Sequence, residues 1–360
     1  DGIIARGQSG HLGYFTPAPI ARLIVELGAP VAGESVYDPC FGSAGLLTES
    51  VDYVRQQDTV DVDRVNQVSL VVAGCDKYLE PYAIGLTRLA LVGVGNPSLE
   101  LGDSLDRDPV SIQPRYDLVL ANPPWGQRYE RRPVDRYPVP ITDSTALFIQ
   151  HALSQLRPGG RAVIVVPPST LFGTGQLVRL RRWLLEEHTV EAVVALPPKA
   201  FAPHSSLQGS ILLLRRGGRT TSVRMVDSRW FDRVRSDIAH GGMAGPLNLR
   251  ERVLSPAPEE HAWDADARAL AEIDFDLSPR RRDTSGLEQV LGPLRGATRI
   301  LPLGDLCQVM GGRSISSSQL RGSQSDINPL AGLVGQDRLD NSGSPQGRIP
   351  YIRIRDVQKG

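Results

Sequence analysis

After a polar, Gly-rich opening at residues 1–18, apolar runs and amphipathic stretches alternate along the chain. Ile20, Leu23, Ile24 and Leu27 recur at helical spacing and predict a helix over 19–27. A short strand follows at 35–39, then the turn FGSAG and a helix at 46–54. SLVVAGC at 69–75 reads as a buried strand, 82–92 as an apolar helix and 99–102 as a short strand. YDLVLA at 116–121 is a strand closed by NPPW. A helix at 145–156 is stopped by Pro158-Gly159-Gly160. Strand 161–166, helix 177–187 and strands 190–196 and 210–214 complete the series.

Continuous Val/Ile/Leu runs separated by helices predict a parallel sheet covered on both faces. The fold class expected is therefore α/β, a doubly wound and mostly parallel sheet over about residues 14–230. Only a loop separates the last two strands, which suits an antiparallel pair better than a parallel crossover. Beyond Trp230 the pattern changes. Residues 231–299 are Pro-rich and charged, with a helical piece at 265–273, and read as a connector. Residues 300–360 shift to Gly, Ser, Asn and Gln before the strand-like run 349–357, and read as the start of a second domain. The expected division is thus 1–230, 231–299 and 300–360.

Composition narrows the classes. Apolar residues make up 41% and charged residues 22%, so a sizeable core can form and wholesale disorder is excluded. Lys+Arg and Asp+Glu are 40 each, which excludes a globally basic nucleic-acid coat but not a local basic groove. Three cysteines, Cys40, Cys75 and Cys307, form no CxxC pair. No disulfide framework or metal site is expected, and a reducing, cytoplasmic setting is. No run of about 18 apolar residues could cross a membrane as a helix, and nothing reads as a signal peptide. The start at Asp1 rather than Met suggests a processed chain or a piece of a longer one.

Open α/β sheets bind ligands at the carboxyl ends of their strands, and the chemistry-bearing residues lie at four such ends. Asp38-Pro39-Cys40-Phe41-Gly42-Ser43-Ala44-Gly45 offers small residues and a following helix N-terminus. Asp76 ends the second strand, where an acid accepts from ribose hydroxyls or caps a helix. Asp103, in Gly102-Asp103-Ser104, could accept from an exocyclic amine or serve a turn. In Asn122-Pro123-Pro124-Trp125 two prolines lock the backbone, so the Asn122 amide oxygen and the Pro123 carbonyl can converge. Trp125 adds a stacking face. Two fixed acceptors beside an aromatic plate suit a planar amine.

Other residues read more plainly. His151 in its helix reads as structural, and His204 as a solvent-facing loop residue. Arg128, Arg131, Arg132 and Arg136, interleaved with Tyr129 and Tyr137, form either a phosphate-holding loop or a solvated one. Arg179, Arg181 and Arg182 read as a helix face, and Cys40 and Cys75 as buried thiols.

Together these stretches resemble the γ-type N6-adenine DNA methyltransferases, especially the modification subunits of type I restriction-modification systems. The order is Gly13-Tyr14-Phe15-Thr16-Pro17, DPCFGSAG, Asp76, Gly102-Asp103-Ser104-Leu105 and NPPW, followed by LRPGGR, LPPKAF and GSILLL, over about residues 10–217. The last sixty residues resemble the first part of a type I-like target-recognition domain.

The resemblance implies S-adenosylmethionine as cofactor and a flipped-out adenine as target. Phe15, Thr16, Asp38 and Gly42 would surround the methionine part, Asp76 the ribose, and Asp103 and Ser104 the adenine. Asn122, Pro123, Pro124 and Trp125 would form the catalytic motif. Double-stranded DNA would be the partner, with a specificity subunit and a restriction subunit as further ones. The family usually has glycine where Ala44 stands, so its methyl is expected to crowd the methionine-binding turn. The rival readings are a protein-glutamine methyltransferase, an RNA adenine methyltransferase and a non-catalytic DNA-binding assembly subunit.

Overall fold

A computed structural model describes residues 16–57, 70–106, 115–129, 134–201, 208–230, 248–255 and 261–279. These all fall within one unit, Asp1–Arg280. The segment expected to open a second domain, 300–360, lies outside the described residues, as do Phe15 and His204.

The first half follows a strand–helix alternation. The elements are α1 (Ala18–Gly28), β1 (Ser35–Asp38), α2 (Gly45–Gln57), β2 (Val71–Asp76), α3 (Leu79–Leu91), β3 (Ser98–Leu101) and β4 (Tyr116–Ala121). The second half adds α4 (Ser144–Gln155), β5 (Leu156–Val166), α5 (Pro168–Phe172), α6 (Gln176–Glu187), β6 (Thr189–Ala195), β7 (Ser210–Arg215) and β8 (Ser222–Val226). It closes with α7 (Leu249–Leu254), β9 (Ala262–Asp266) and α8 (Ala267–Ala271). Each helix and strand expected up to residue 215 is present, with ends shifted by a few residues.

One mixed sheet carries the order β3-β2-β1-β4-β5-β7-β6-β8-β9. The first five strands in that order run parallel. β7 is antiparallel to both β5 and β6, as the short connection required. The apolar runs are explained by two cores, one on each face. In β4, Leu118 and Leu120 enter one core while Val119 and Ala121 enter the other, all four fully buried.

The connector expectation needs correction. β9 lies within 231–299 yet pairs antiparallel with β8 and extends the sheet. The helical piece expected over 265–273 is divided: Ala265 and Asp266 end β9, and α8 covers only Ala267–Ala271. Arg181, expected on a helix face, is buried and donates to the carbonyls of Phe275, Thr170 and Asp274. It pins α6 to the segment after α8. A buried guanidinium is tolerated here because its donors meet carbonyls.

The chain crosses from β3, at one edge, to β4 on the other side of β1. The carboxyl ends of β1 and β4 therefore flank a topological switch point, the usual location of a ligand crevice in such sheets. At the opposite ends, Ser35 N and Oγ donate to Asp117 Oδ2 at 2.9 and 2.7 Å, tying β1 to β4. Arg161 grips Glu34 with two 2.7 Å bonds. The strands are thus braced away from the crevice, which leaves their carboxyl ends to loops.

Candidate functional site

A cavity of about 220 Å³ opens at the ends of β1, β2, β3 and β4. Thr16, Asp38, Gly42, Asp76, Asp103, Ser104, Asn122 and Pro124 all line it. Thr16 and Asn122, 106 positions apart in sequence, are brought into hydrogen-bond contact there.

Asp38 is the last residue of β1 and only 2% exposed. Its Oδ1 accepts from Cys40 N at 3.0 Å. Asp76 ends β2 and is also buried. Its Oδ2 accepts from Gly42 N at 2.8 Å and its Oδ1 from Tyr78 N at 3.0 Å. Asp76 thus ties the end of its strand to the glycine turn as well as facing the cavity. Among the described residues no cationic side chain pairs with either acid. Burial pushes the Asp38 carboxyl up to about 7, with the nearby Asp76 charge adding to the shift. Burial raises Asp76 too.

The turn between β1 and α2 is anchored by Phe41. Its ring is buried against the backbones of Gly74 on β2 and Gly85 on α3, where an added Cβ would come within 2.7 Å in either case. Ala44 adopts φ 60°, a left-handed conformation that costs an alanine roughly 1–2 kcal/mol. Its methyl is directed at Gly85 and is not among the cavity-lining groups. The expected crowding of the methionine turn is therefore not the consequence of this residue; the consequence is backbone strain and a requirement for glycine on α3.

Asp103 follows β3. Its Oδ2 accepts from Lys77 Nζ at 3.1 Å and from the Tyr129 hydroxyl at 3.2 Å, and its Oδ1 from Leu105 N at 3.0 Å. Burial and then the Asp103 charge push the Tyr129 phenol up, so it stays protonated and donates. The Ser104 hydroxyl is buried and donates to the Pro39 carbonyl, locking the β3 end to the β1 end.

Asn122 immediately follows β4. Its Nδ2 donates to Thr16 Oγ1 at 3.0 Å. Among the described residues, nothing donates to Asn122 Oδ1 or to the Pro123 carbonyl. The Pro124 carbonyl accepts from Ser144 Oγ at 2.8 Å, fixing the exit of the motif to the start of α4. Trp125 is half-buried and lies outside the cavity lining. Its ring meets Phe201 edge-on, with centroids 5.3 Å apart. Gly209 lies so close to the indole that a Cβ there would be 3.0 Å away. The indole N–H is buried and has no hydrogen-bond partner among the described residues.

Sequence reasoning missed Lys77, Tyr129 and Phe201 as parts of this region. In the sequence LPPKAF stands only as a motif, and its aromatic residue is the available signal for Phe201. Tyr129 and Tyr137 were read with the basic loop, but neither is a free surface aromatic. Tyr129 holds Asp103, and Tyr137 is buried with its hydroxyl 3.1 Å from His151 Nδ1. His151 is fully buried, as a structural role requires. Arg128 is exposed, while Arg131 and Arg132 lie outside the described residues.

A family model described as N-6 DNA Methylase matches residues 5–238. The chain belongs to the N-6 DNA Methylase family. Within this family it is 30% identical to the type I restriction enzyme StySPI methylase subunit of Salmonella potsdam, over 94% of this chain and 64% of the relative. It is 28% identical to the EcoEI methylase subunit of Escherichia coli, over 64% of this chain and 47% of the relative. A solved modification subunit assigned to a type I restriction enzyme of Vibrio vulnificus YJ016 superposes with a TM-score of 0.64 at 26% identity. That match covers 79% of this chain and 62% of the other. The chain spans about half to two thirds of the length of these curated relatives. The methyltransferase-type sheet expected from the sequence is the fold observed. Among the described residues, no helix is long and apolar enough to cross a membrane.

Proposed function

We propose that this N-6 DNA methylase chain carries the catalytic site of a DNA adenine-N6 methyltransferase acting within a restriction-modification or phage-defence system. The observation that carries the reading is the pair of acceptors, Asn122 Oδ1 and the Pro123 carbonyl, to which nothing among the described residues donates. They stand at the end of β4, beside a cavity holding two buried acids that lack a cation.

Those acids test whether S-adenosylmethionine fits. A buried carboxylate without a counter-charge is costly, and a ligand bearing an ammonium and a sulfonium would relieve that cost. The residues present fit the group. Asp38, with Thr16 and Gly42, would face its methionine end, Asp76 its ribose hydroxyls and Asp103 its adenine amine. When bound, S-adenosylmethionine would supply an electrophilic methyl group. Phe15, outside the described residues, is proposed for the same methionine end from its place in the FTP segment.

The adenine amine is a poor nucleophile because its lone pair is delocalised into the ring. Asn122 Oδ1 and the Pro123 carbonyl would accept its two hydrogens, hold the nitrogen in place and favour a more tetrahedral geometry. Proximity and orientation would supply much of the rate gain. Trp125, steadied by Phe201, would stack on a base taken out of the duplex. Pro124, bonded to Ser144, holds the motif rigid.

The relatives are called methylase subunits, and another solved match is described as the basis of complex assembly of the type I R-M system. By that likeness, double-stranded DNA, a specificity subunit and a restriction subunit are the proposed partners. A cytoplasmic setting goes with them. The test is to incubate the purified chain, with and without such partners, with labelled S-adenosylmethionine and DNA. Label recovered as N6-methyladenine supports the reading; label on glutamine side chains or on RNA alone overturns it.

A further inference from the structure

An amide presents an oxygen or an NH₂ depending on a half-turn about its last bond, and the two ends have opposite hydrogen-bonding character. For Asn122 the difference decides function under the reading above, on which this inference rests. Oδ1 facing the target amine accepts a hydrogen. Nδ2 in that place would set donor against donor.

Thr16 bears on that choice. It precedes Pro17, the N-cap residue of α1, and lies 106 residues from Asn122. Its Oγ1 accepts from Asn122 Nδ2 at 3.0 Å, the one hydrogen bond Asn122's side chain makes among the described residues. Both residues line the same cavity. The backbone on each side is held independently. Ile20 N and Ala21 N donate to the Pro17 carbonyl at 2.9 Å each, and Ser144 fixes Pro124. The amide therefore has a stiff mount and, among the described residues, a single polar contact that restrains its rotation.

We propose that Thr16 is a positioning residue for Asn122: its hydroxyl, which can accept from Nδ2 or donate to Oδ1, restrains the amide, and the accepting arrangement seen here leaves Oδ1 for the substrate amine. This role is additional to the methionine-end contact proposed above for Thr16, which acts on binding and not through Asn122. A threonine suits the task because its β-branched side chain is stiff at χ1, so the acceptor is held in place before substrate arrives.

The experiment compares the full chain with Thr16→Val, which keeps the shape and removes the acceptor, and with Thr16→Ser, which restores it. Thr16→Ala replaces Val should valine perturb the start of α1. Three quantities are read. One is the single-turnover transfer rate at saturating S-adenosylmethionine and DNA. The second is the cofactor Kd by calorimetry. The third is the Asn122 side-chain amide resonance, assigned by its loss in Asn122→Ala. For Val the expected result is a rate about tenfold lower, the scale of one ordinary hydrogen bond. Its cofactor Kd, which reads the separate contact of Thr16 with the methionine end, sets the concentration needed for saturation, and its Asn122 amide signal should move and exchange faster. Ser should behave as wild type in all three.

A Val variant with full rate, a loss confined to Kd, or an unmoved amide signal overturns the proposal, as does failure of Ser to restore the rate. If the wild-type chain methylates no DNA adenine, the functional reading fails instead. The amide signal still decides whether Thr16 holds Asn122.

Discussion

Within NPPW, neighbouring residues face different surroundings and should fail in different ways. Trp125 stands outside the cavity lining, edge-on to Phe201, and its indole N–H has no partner among the described residues. An unsatisfied buried donor costs about 1–3 kcal/mol, so the fold carries an indole for its face rather than for its N–H. Trp125→Ala should lose retention of an extrahelical base, since a base–aromatic stack is worth about 1–3 kcal/mol. With 2-aminopurine at the target position, the fluorescence rise on binding reads this directly. Trp125→Phe should keep transfer near the wild-type rate without lowering the thermal midpoint. Unchanged flipping in the Ala variant would move Trp125 to a purely structural role. At this scale strand ends and proline-locked turns in the sequence pick out residues most of which the structure gathers around one cavity. The sequence could not show Thr16 meeting Asn122, because that bond joins segments far apart in the chain. It also misplaced Arg181, because charge on an amphipathic helix reads as surface until a carbonyl cluster buries it.

Between elements, the site depends on how closely α3 approaches the turn that follows β1. Phe41 fills the gap at Gly85, and the left-handed Ala44 points its methyl at the same spot. A methyl on Gly85 would lie 2.7 Å from Phe41 and 3.2 Å from Ala44. Gly85→Ala should therefore push the turn and the Asp76–Gly42 bond out of place. The expected cost is about 1–3 kcal/mol of stability, the usual scale of overpacking, together with weaker cofactor binding. Denaturant melts and calorimetry measure both; unchanged values would show that the turn is not wedged by α3. The central strands were legible because each is a continuous apolar run covered on both faces. β9 was not: AWDAD at the sheet edge alternates with aspartates, which strands disfavour, and only pairing with β8 makes it one. α5 is five residues long and begins at a proline, too short to show a period.

At the scale of the whole molecule, the proposed cofactor site would link binding and folding stability through Asp38. Its carboxyl is raised from 3.8 to about 7 by burial and by Asp76. A raised carboxyl favours the folded state while protonated. That contribution is complete below the unfolded value near 4 and is lost as pH rises through about 7. A cationic ligand prefers the ionised form, so cofactor affinity should rise over the same range. The thermal shift produced by S-adenosylmethionine should be larger at pH 8 than at pH 6, and the difference should shrink in Asp38→Asn. An equal shift at both values would remove Asp38 from the cation site. The most direct test of the central claim separates binding from chemistry at Asn122. On the proposed reading its side chain would offer the target amine an acceptor, while most of the proposed cofactor contacts come from other strand ends. In Asn122→Ala, calorimetry should find S-adenosylmethionine binding near the wild-type value. Transfer of labelled methyl to DNA adenine should fall by at least about a hundredfold, the scale set by loss of a group that acts mainly in the transition state. Full transfer by the variant, with the cofactor still bound, would contradict the account.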